Sequence, residues 1–319
     1  MSQTVDSRPA ADASPSAAPT AAVPRAGRTV LLAVVAGALL AVVWSYEFVD
    51  DVVAGAVMRG ILGADGEEVA LGSAAAGAVF ALVSGFAGTF TACNIAAFGA
   101  VAPMLGRPAP LGRRLLAALR PLGYVAAGAV TVSACYGFVG VLLADHLPQL
   151  SAGTVGDGMP ARLLQSIVVY VVLGAAMLWL GLAAVGYLPD PLRRAEHRWP
   201  HARLVALGAI VGALLVGRPF PLFHRMFQYA AETGNPLYGS LTFVLQSVGN
   251  MVVMATLFVA LALAFRGRFP RWLAASPHRA ARAAGAALLV AGAFTVLYWG
   301  VRVPAIFGYG WFPQPPWNG

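Results

Sequence analysis

Long runs of apolar residues alternate along this chain with short segments that contain arginine, proline and glycine. A helix that crosses the hydrocarbon core of a bilayer needs about 20 predominantly apolar residues. The hydrophobic runs therefore predict an all-α, polytopic membrane helix bundle of about seven spans. The predicted spans are Val30–Phe48, Leu71–Leu105, Leu119–Leu147, Leu163–Tyr187, Leu204–Pro221, Leu237–Phe265 and Ala283–Val303.

The arginine residues fall on alternate sides of these spans. They are concentrated in the segments that follow the second, fourth and sixth spans, and the opposite segments are poor in arginine. Because arginine-rich short loops stay in the cytoplasm, this pattern places the N-terminus inside and the C-terminus outside a bacterial-type plasma membrane. The arginines that define the inner side are Arg107, Arg113, Arg114, Arg120, Arg193, Arg194, Arg198, Arg203, Arg266, Arg268, Arg271, Arg279 and Arg282.

Composition agrees with a protein that has little mass outside the bilayer. Hydrophobic residues make up 59% of the 319 residues and charged residues 11%, against about 25% charged in a soluble domain. The first residues are rich in alanine, proline and serine, which is typical of a segment that does not fold. The predicted division is a disordered cytoplasmic tail at 1–28, a first span and outer loop at 29–70, the main transmembrane domain at 71–305, and an extracytoplasmic, aromatic and proline-rich tail at 306–319.

Several classes of function are disfavoured by what the sequence lacks. The net charge of +8 lies in loops between apolar runs, so it indicates membrane topology and a lipid bilayer as partner rather than nucleic acid. The histidines have no spacing that matches a metal site. The sequence has no phosphate-binding loop or dinucleotide fingerprint, and we therefore expect neither a metal nor another cofactor.

Spans two to four and five to seven form two groups of three. An odd number of helices per group turns the second group upside down relative to the first, and inverted repeats of this kind place their site at the bilayer midplane. Each group opens with an interrupted segment. In the first, Phe80–Leu105, glycines Gly85 and Gly88 predict a broken or re-entrant helix, and in the second, Leu207–Ala230, the interruption is GRPFP (Gly217–Pro221).

Polar residues at depth supply the candidate site. Thr89, Thr91, Cys93 and Asn94 cluster beside the first interruption, and Gln246 and Asn250 share one face of the sixth span because they are four residues apart. They either form interhelical hydrogen bonds, together with a similar cluster around Ser133 and Cys135 in span three, or line a small polar cavity. Beside the second interruption, Arg218, His224 and Arg225 either form a basic site at the outer end of span five or reach the interface as topology residues.

The two interrupted segments resemble those of the CcdA/DsbD thiol–disulfide transporters of cytochrome c biogenesis. The first reads GTFTACNIAAFGAVAP from Gly88, and the second begins VGRPFP from Val216. The resemblance matches Cys93 to the first redox cysteine of that family, with Ala92 in place of a proline and Phe220 in place of the second cysteine. It implies thiol exchange through Cys93, with a thioredoxin-like or cytochrome c maturation protein as partner.

Cys135 is the remaining candidate for a second thiol. Straight helices place Cys93 near the cytoplasmic face and Cys135 in the outer half, whereas a disulfide needs Cα atoms within about 7 Å. A break at Gly85–Gly88 would raise Cys93 toward the midplane. Without such a pair, both cysteines are expected to be small buried hydrophobes. The alternative functions on the same scaffold are a transporter of a small neutral or anionic solute and a non-catalytic assembly subunit.

Overall fold

The computed structural model describes residues 26–45, 47–63, 69, 71–90, 111–151, 153–155, 158–218, 221–264, 276–313, 315 and 317. Predictions that concern Thr91, Cys93, Asn94 and most of the N-terminal tail therefore lie outside the described residues. The described part is an all-α bundle with one small antiparallel β-ribbon, as the hydrophobic pattern predicts.

The helices of the bundle follow the apolar runs. Their bounds are α1 Ala26–Val43, α2 Gly55–Leu62, α3 Ala74–Ala87, α4 Leu111–Leu142, α5 Ala161–Ala184, α6 Arg193–Arg198, α7 Ala202–Val216, α8 Pro221–Glu232, α9 Pro236–Ala264, α10 Pro277–Leu297 and α11 Val303–Ile306. A π-helical segment at Phe48–Ala54 leads into α2, and another at Tyr298–Arg302 joins α10 to α11. Strands β1 (Thr154–Val155) and β2 (Met159–Pro160) pair between α4 and α5.

Five helices of the described part are long and apolar enough to cross a membrane, and the count becomes six if the bent pair α7 and α8 forms one span. The second predicted span, Leu71–Leu105, is described only as far as Phe90 and contains the 14-residue helix α3. The first loop differs from the prediction, because Phe48–Leu62 is helical. Its Met58 is fully buried against α3 and α8, which explains why this segment folds onto the bundle.

The directions of the packed helices agree with successive crossings of a membrane. In the pairs α4–α9 and α5–α10, residues later in one helix contact residues earlier in the other, so each pair is antiparallel. In the pairs α3–α9, α4–α7 and α1–α10, residues later in one helix contact residues later in the other, so these pairs are parallel. The contacts that fix the directions include Ser133–Ser247, Gly137–Gly239, Gly174–Gly292, Gly181–Gly285, Gly85–Gln246, Thr89–Asn250, Gly208–Val125, Gly212–Ala129, Gly37–Val290 and Arg302–Ala41.

The crossing of α3 and α9 is so close that it requires glycine. A Cβ atom at Gly85 would overlap the carbonyl oxygen of Gln246, and a Cβ atom at Gly249 would overlap the carbonyl oxygen of Leu82. On each helix, the glycine comes three residues after the residue whose carbonyl oxygen contacts the glycine of the other helix: Gly85 follows Leu82, and Gly249 follows Gln246. Small residues of this kind allow membrane helices to approach closely.

The crossing of α4 and α7 repeats this arrangement. A Cβ atom at Gly208 would overlap the carbonyl oxygen of Val125, and one at Gly128 would overlap that of Val205. The same three-residue spacing occurs on both helices. The helices form a first group (α3, α4, α5) and a second group (α7, α9, α10). In one crossing the first helix of the first group packs on the second helix of the second group, and in the other crossing the second helix of the first group packs on the first helix of the second group. Two inverted three-helix units produce this pattern.

The C-terminal segment closes the end of α1. Arg302 is 1% exposed, and its Nη1 atom donates hydrogen bonds of 2.7 Å to the carbonyl oxygens of Ala41 and Trp44. The indole of Trp317 donates to the carbonyl oxygen of Val43 at 3.2 Å. The last carbonyl groups of a helix have no partner within the helix, so these side chains supply what α1 lacks.

Candidate functional site

The described residues contain the second predicted interruption and the start of the first. The α-helix α3 ends at Ala87 and continues as a 3₁₀ turn over Gly88–Phe90. The second interruption separates α7, which ends at Val216, from α8, which begins at Pro221, and the two helices are bent by 88°. Glycine and proline thus mark the ends of the regular backbone in both groups, as the sequence predicts.

The two interruptions touch each other. A Cβ atom at Gly88 would lie 2.9 Å from Cζ of Phe223, 3.4 Å from Cδ1 of Leu215 and 3.8 Å from Nη1 of Arg218. The Arg218 guanidinium carbon is also 5.6 Å from the centre of the Phe223 ring, within the range of a cation–π contact. We call these four residues the junction, because they join the broken helices of the two groups.

Polar side chains from other elements satisfy the carbonyl groups of the second interruption. Ser166 donates to the carbonyl oxygen of Gly217 at 2.9 Å, and the amide of Gln149 donates to that of Arg218 at 3.3 Å. The hydroxyl of Tyr170 donates to the carbonyl oxygen of Leu214. Irregular backbone at membrane depth is tolerated where protein surrounds it, and these donors provide that environment. The sequence does not distinguish these residues, because hydroxyl and amide groups in apolar runs usually form local hydrogen bonds.

A group of uncharged polar residues lies where α3 crosses α9. Thr89, Gln246 and Asn250, which we call the polar crossing, are 3%, 0% and 0% exposed. The Thr89 hydroxyl donates to the carbonyl oxygen of Gly85 at 3.1 Å and lies 3.5 Å from that of Asn250. Within the described part of the chain, both the oxygen and the nitrogen of the Gln246 amide are buried without a hydrogen-bond partner. Gln246 and Asn250, which the sequence places on one helix face at depth, are both fully buried.

The corresponding crossing in the other group is apolar. Gly208 contacts the carbonyl oxygen of Val125 as Gly85 contacts that of Gln246, so Val125 corresponds to Gln246 and Ala129 corresponds to Asn250. Gly212, which meets the carbonyl oxygen of Ala129, takes the place of Thr89. Two crossings with the same backbone geometry thus carry different chemistry, and only the one beside Gly88 is polar.

The polar residues predicted in span three separate into different environments. Ser133 is buried, and its hydroxyl oxygen lies 2.5 Å from that of Ser247 on α9, so the two predicted clusters meet there. Tyr136 packs against Phe227 and Phe243. Cys135 is exposed, which contradicts the expectation that it is a buried hydrophobe. Its pairing with Cys93 stays a prediction, since the structure does not describe the first cysteine.

The basic residues of the second interruption point to different neighbours. Arg218 belongs to the junction, whereas Arg225 donates to the carbonyl oxygen of Val69, in the segment that precedes α3. His224 is half-buried on α8. Arg225 thus ties α8 to the first group of helices, which is a structural contact that the sequence prediction of a basic site did not include.

Among the described residues no group of three or more histidine, cysteine, aspartate or glutamate side chains is arranged to hold a metal ion. The sequence matches no family model, and no curated protein or solved structure matches the chain. The chemistry available at the described site is therefore that of hydroxyl and carboxamide groups, one guanidinium group and close-packed glycine.

Proposed function

We propose that this chain is a membrane carrier with its working centre at the junction. The observation that carries the proposal is the contact of Gly88 with Phe223, Leu215 and Arg218, which brings the broken helices of the two groups together. Discontinuous helices from two inverted groups form the midplane sites of many transporters. In this proposal each group of helices contributes irregular backbone to the junction.

The first candidate cargo is reducing equivalents, as the resemblance to the CcdA/DsbD thiol–disulfide transporters implies. Cys93 comes three positions after Phe90, the last residue of the 3₁₀ turn, in the sequence. In this proposal the Cys93 thiolate attacks a disulfide of a thioredoxin-like partner. A mixed disulfide forms, and one thiolate of the first partner leaves. A thiolate of a second, reduced partner then attacks the Cys93 sulfur and releases the first partner as a dithiol. The other thiol of the second partner resolves the new mixed disulfide, so that Cys93 is regenerated and the second partner carries the disulfide. The second thiol comes from another protein because Phe220 stands at the family's second cysteine position.

Disulfide trapping tests this candidate. The probe is a thioredoxin-like protein that has lost its resolving cysteine and whose remaining cysteine is held as a mixed disulfide with thionitrobenzoate. In membranes containing the Cys135→Ser variant, we expect the Cys93 thiolate to attack this disulfide and release thionitrobenzoate, which leaves a Cys93–partner adduct visible on a non-reducing gel. The matched control is Cys93→Ser with Cys135 retained, which should give no adduct. Equal adduct formation by the two variants, or none by either, would show that Cys93 is not the exchanging thiol.

The second candidate cargo is a small solute. It is favoured by the polar crossing, in which Gln246 offers a buried donor and acceptor, and by the cation Arg218 beside it at the junction. A solute carrier does not need thiols. Proteoliposomes that contain the double variant Cys93→Ser, Cys135→Ser should therefore keep solute uptake at the wild-type rate, and a loss of uptake would favour the thiol relay.

A further inference from the structure

We propose that the polar crossing binds a small uncharged molecule that both donates and accepts hydrogen bonds, of the class of urea and primary carboxamides. The inference rests on the proposed function only in so far as that function places the working centre at the junction. It names the class of ligand and the residue that recognises it, Gln246.

The unsatisfied amide of Gln246 is the first observation. Its side chain is 0% exposed, and neither Oε1 nor Nε2 has a hydrogen-bond partner among the residues that the structure describes. A buried donor or acceptor that makes no hydrogen bond costs about 1–3 kcal/mol. An amide needs both an acceptor for its NH₂ group and a donor for its oxygen. A ligand that carries one of each, as urea does, satisfies both atoms.

The apolar counterpart is the second observation. Val125 and Ala129 occupy the equivalent positions in the crossing of α4 and α7, and that crossing brings its helices equally close through Gly128 and Gly208. Polar side chains are therefore not required to pack such a crossing. Gln246 therefore imposes on one crossing a cost that the other crossing avoids, although both lie next to the end of a helix.

The position and charge of the site decide the class of ligand. Gln246 and Asn250 lie near the middle of the apolar span Pro236–Ala260, so a ligand there is at the depth where a carrier holds its cargo. Thr89 follows Gly88 directly, which makes the crossing continuous with the junction. The three side chains of the crossing are uncharged. A carboxamide forms its best hydrogen bonds with a neutral group that also carries a donor and an acceptor.

The test uses urea and nitrate, two planar solutes of similar size that differ in charge. Purified protein is reconstituted in liposomes, and solute flux is followed by light scattering after rapid mixing. Wild-type protein should raise urea flux above that of empty liposomes and leave nitrate flux unchanged. The Gln246→Leu variant, which keeps the size of the side chain, should reduce the protein-dependent urea flux about tenfold, the effect of losing one or two hydrogen bonds to a ligand.

The matched control is Thr242→Val, which changes a buried polar residue one turn earlier on the same helix. Its hydroxyl donates to Gly239 within α9, so urea flux should stay at the wild-type level. Thermal unfolding provides a second measurement. Because the Gln246 amide has no hydrogen-bond partner in the described bundle, Gln246→Leu should unfold at the wild-type temperature or above it. An amide with a structural role would instead make this variant less stable.

Four outcomes would overturn the inference. They are a wild-type urea flux no higher than that of empty liposomes, an unchanged flux in Gln246→Leu, a marked loss of stability in that variant, or a nitrate flux that depends on Gln246. A protein-dependent flux of water without urea would show that an ordered water alone fills the site. Failure of Cys93 trapping with intact, Gln246-dependent urea flux would overturn the thiol relay and leave this inference standing.

Discussion

Arg302 shows how a single side chain can close one end of the bundle. It is buried, it donates to the carbonyl oxygens of Ala41 and Trp44, and its guanidinium lies 5.2 Å from the ring centre of Tyr298. The sequence did not identify this role. An arginine near the end of an apolar run looks the same whether its side chain reaches the interface or turns inward, and only the packing of α1 against α10 distinguishes the two.

Replacing Arg302 with methionine should destabilise the protein. Hydrogen bonds to charged groups contribute about 1.5–3 kcal/mol each, so we expect the free energy of unfolding to fall by about 3 kcal/mol. Unfolding in mixed micelles with increasing dodecyl sulfate measures this change. The conservative variant Arg302→Lys should lose less, and Arg193→Met, at an exposed position of α6, serves as a control. A wild-type unfolding curve for Arg302→Met would refute the role.

At the scale of the elements, glycine and proline allowed the ends of α3 and α7 to be predicted, because these residues often end a regular helix. The helical segment Phe48–Leu62 was not predicted, since its two aspartates make it resemble an exposed loop. The close contact of Gly85 with Gln246 could not be predicted from the sequence either. A glycine in an apolar run shows that a close approach is possible, but the helix that makes it lies more than a hundred residues away in the chain.

Alanine substitutions at two glycines should have opposite effects. Gly85→Ala places a Cβ atom on the backbone of α9, so the helices must separate, and we expect a loss of about 1–3 kcal/mol in unfolding free energy. Gly123→Ala adds a methyl group with no atom within 4 Å, so it should gain up to about 1 kcal/mol from helix propensity. The same unfolding measurement compares them. Equal effects would mean that α3 and α9 are not in close contact at Gly85.

At the scale of the whole molecule, alternating helix directions could be predicted from the arginine pattern, and the helix pairs agree with them. The pairing of α3 with α9 and of α4 with α7 could not. The two groups share little sequence similarity, and a hydrophobic face does not specify which distant helix covers it. The polar crossing was predicted in part: its residues were identified, but not the difference from its apolar counterpart, which appears only when the two crossings are compared.

The orientation in the membrane is open to a direct test. In a Cys93→Ser, Cys135→Ser background, a cysteine at Ser151, between α4 and α5, should react with an impermeant maleimide added to intact cells. A cysteine at Arg194, in the segment between α5 and α7, should react only after permeabilisation, because arginine-rich loops remain in the cytoplasm. Both positions are exposed in the bundle. The reverse pattern would invert the proposed topology.

The capping of α1 by the C-terminal segment has a consequence for biosynthesis. The carbonyl oxygen of Ala41 receives its hydrogen bond from a residue 261 positions later in the chain. While the ribosome synthesises the intervening helices, the first span therefore sits in the lipid with its final turn incomplete. A chain that stops before Arg302 cannot form these hydrogen bonds, so we expect it to be degraded faster in the cell than a chain that includes Arg302.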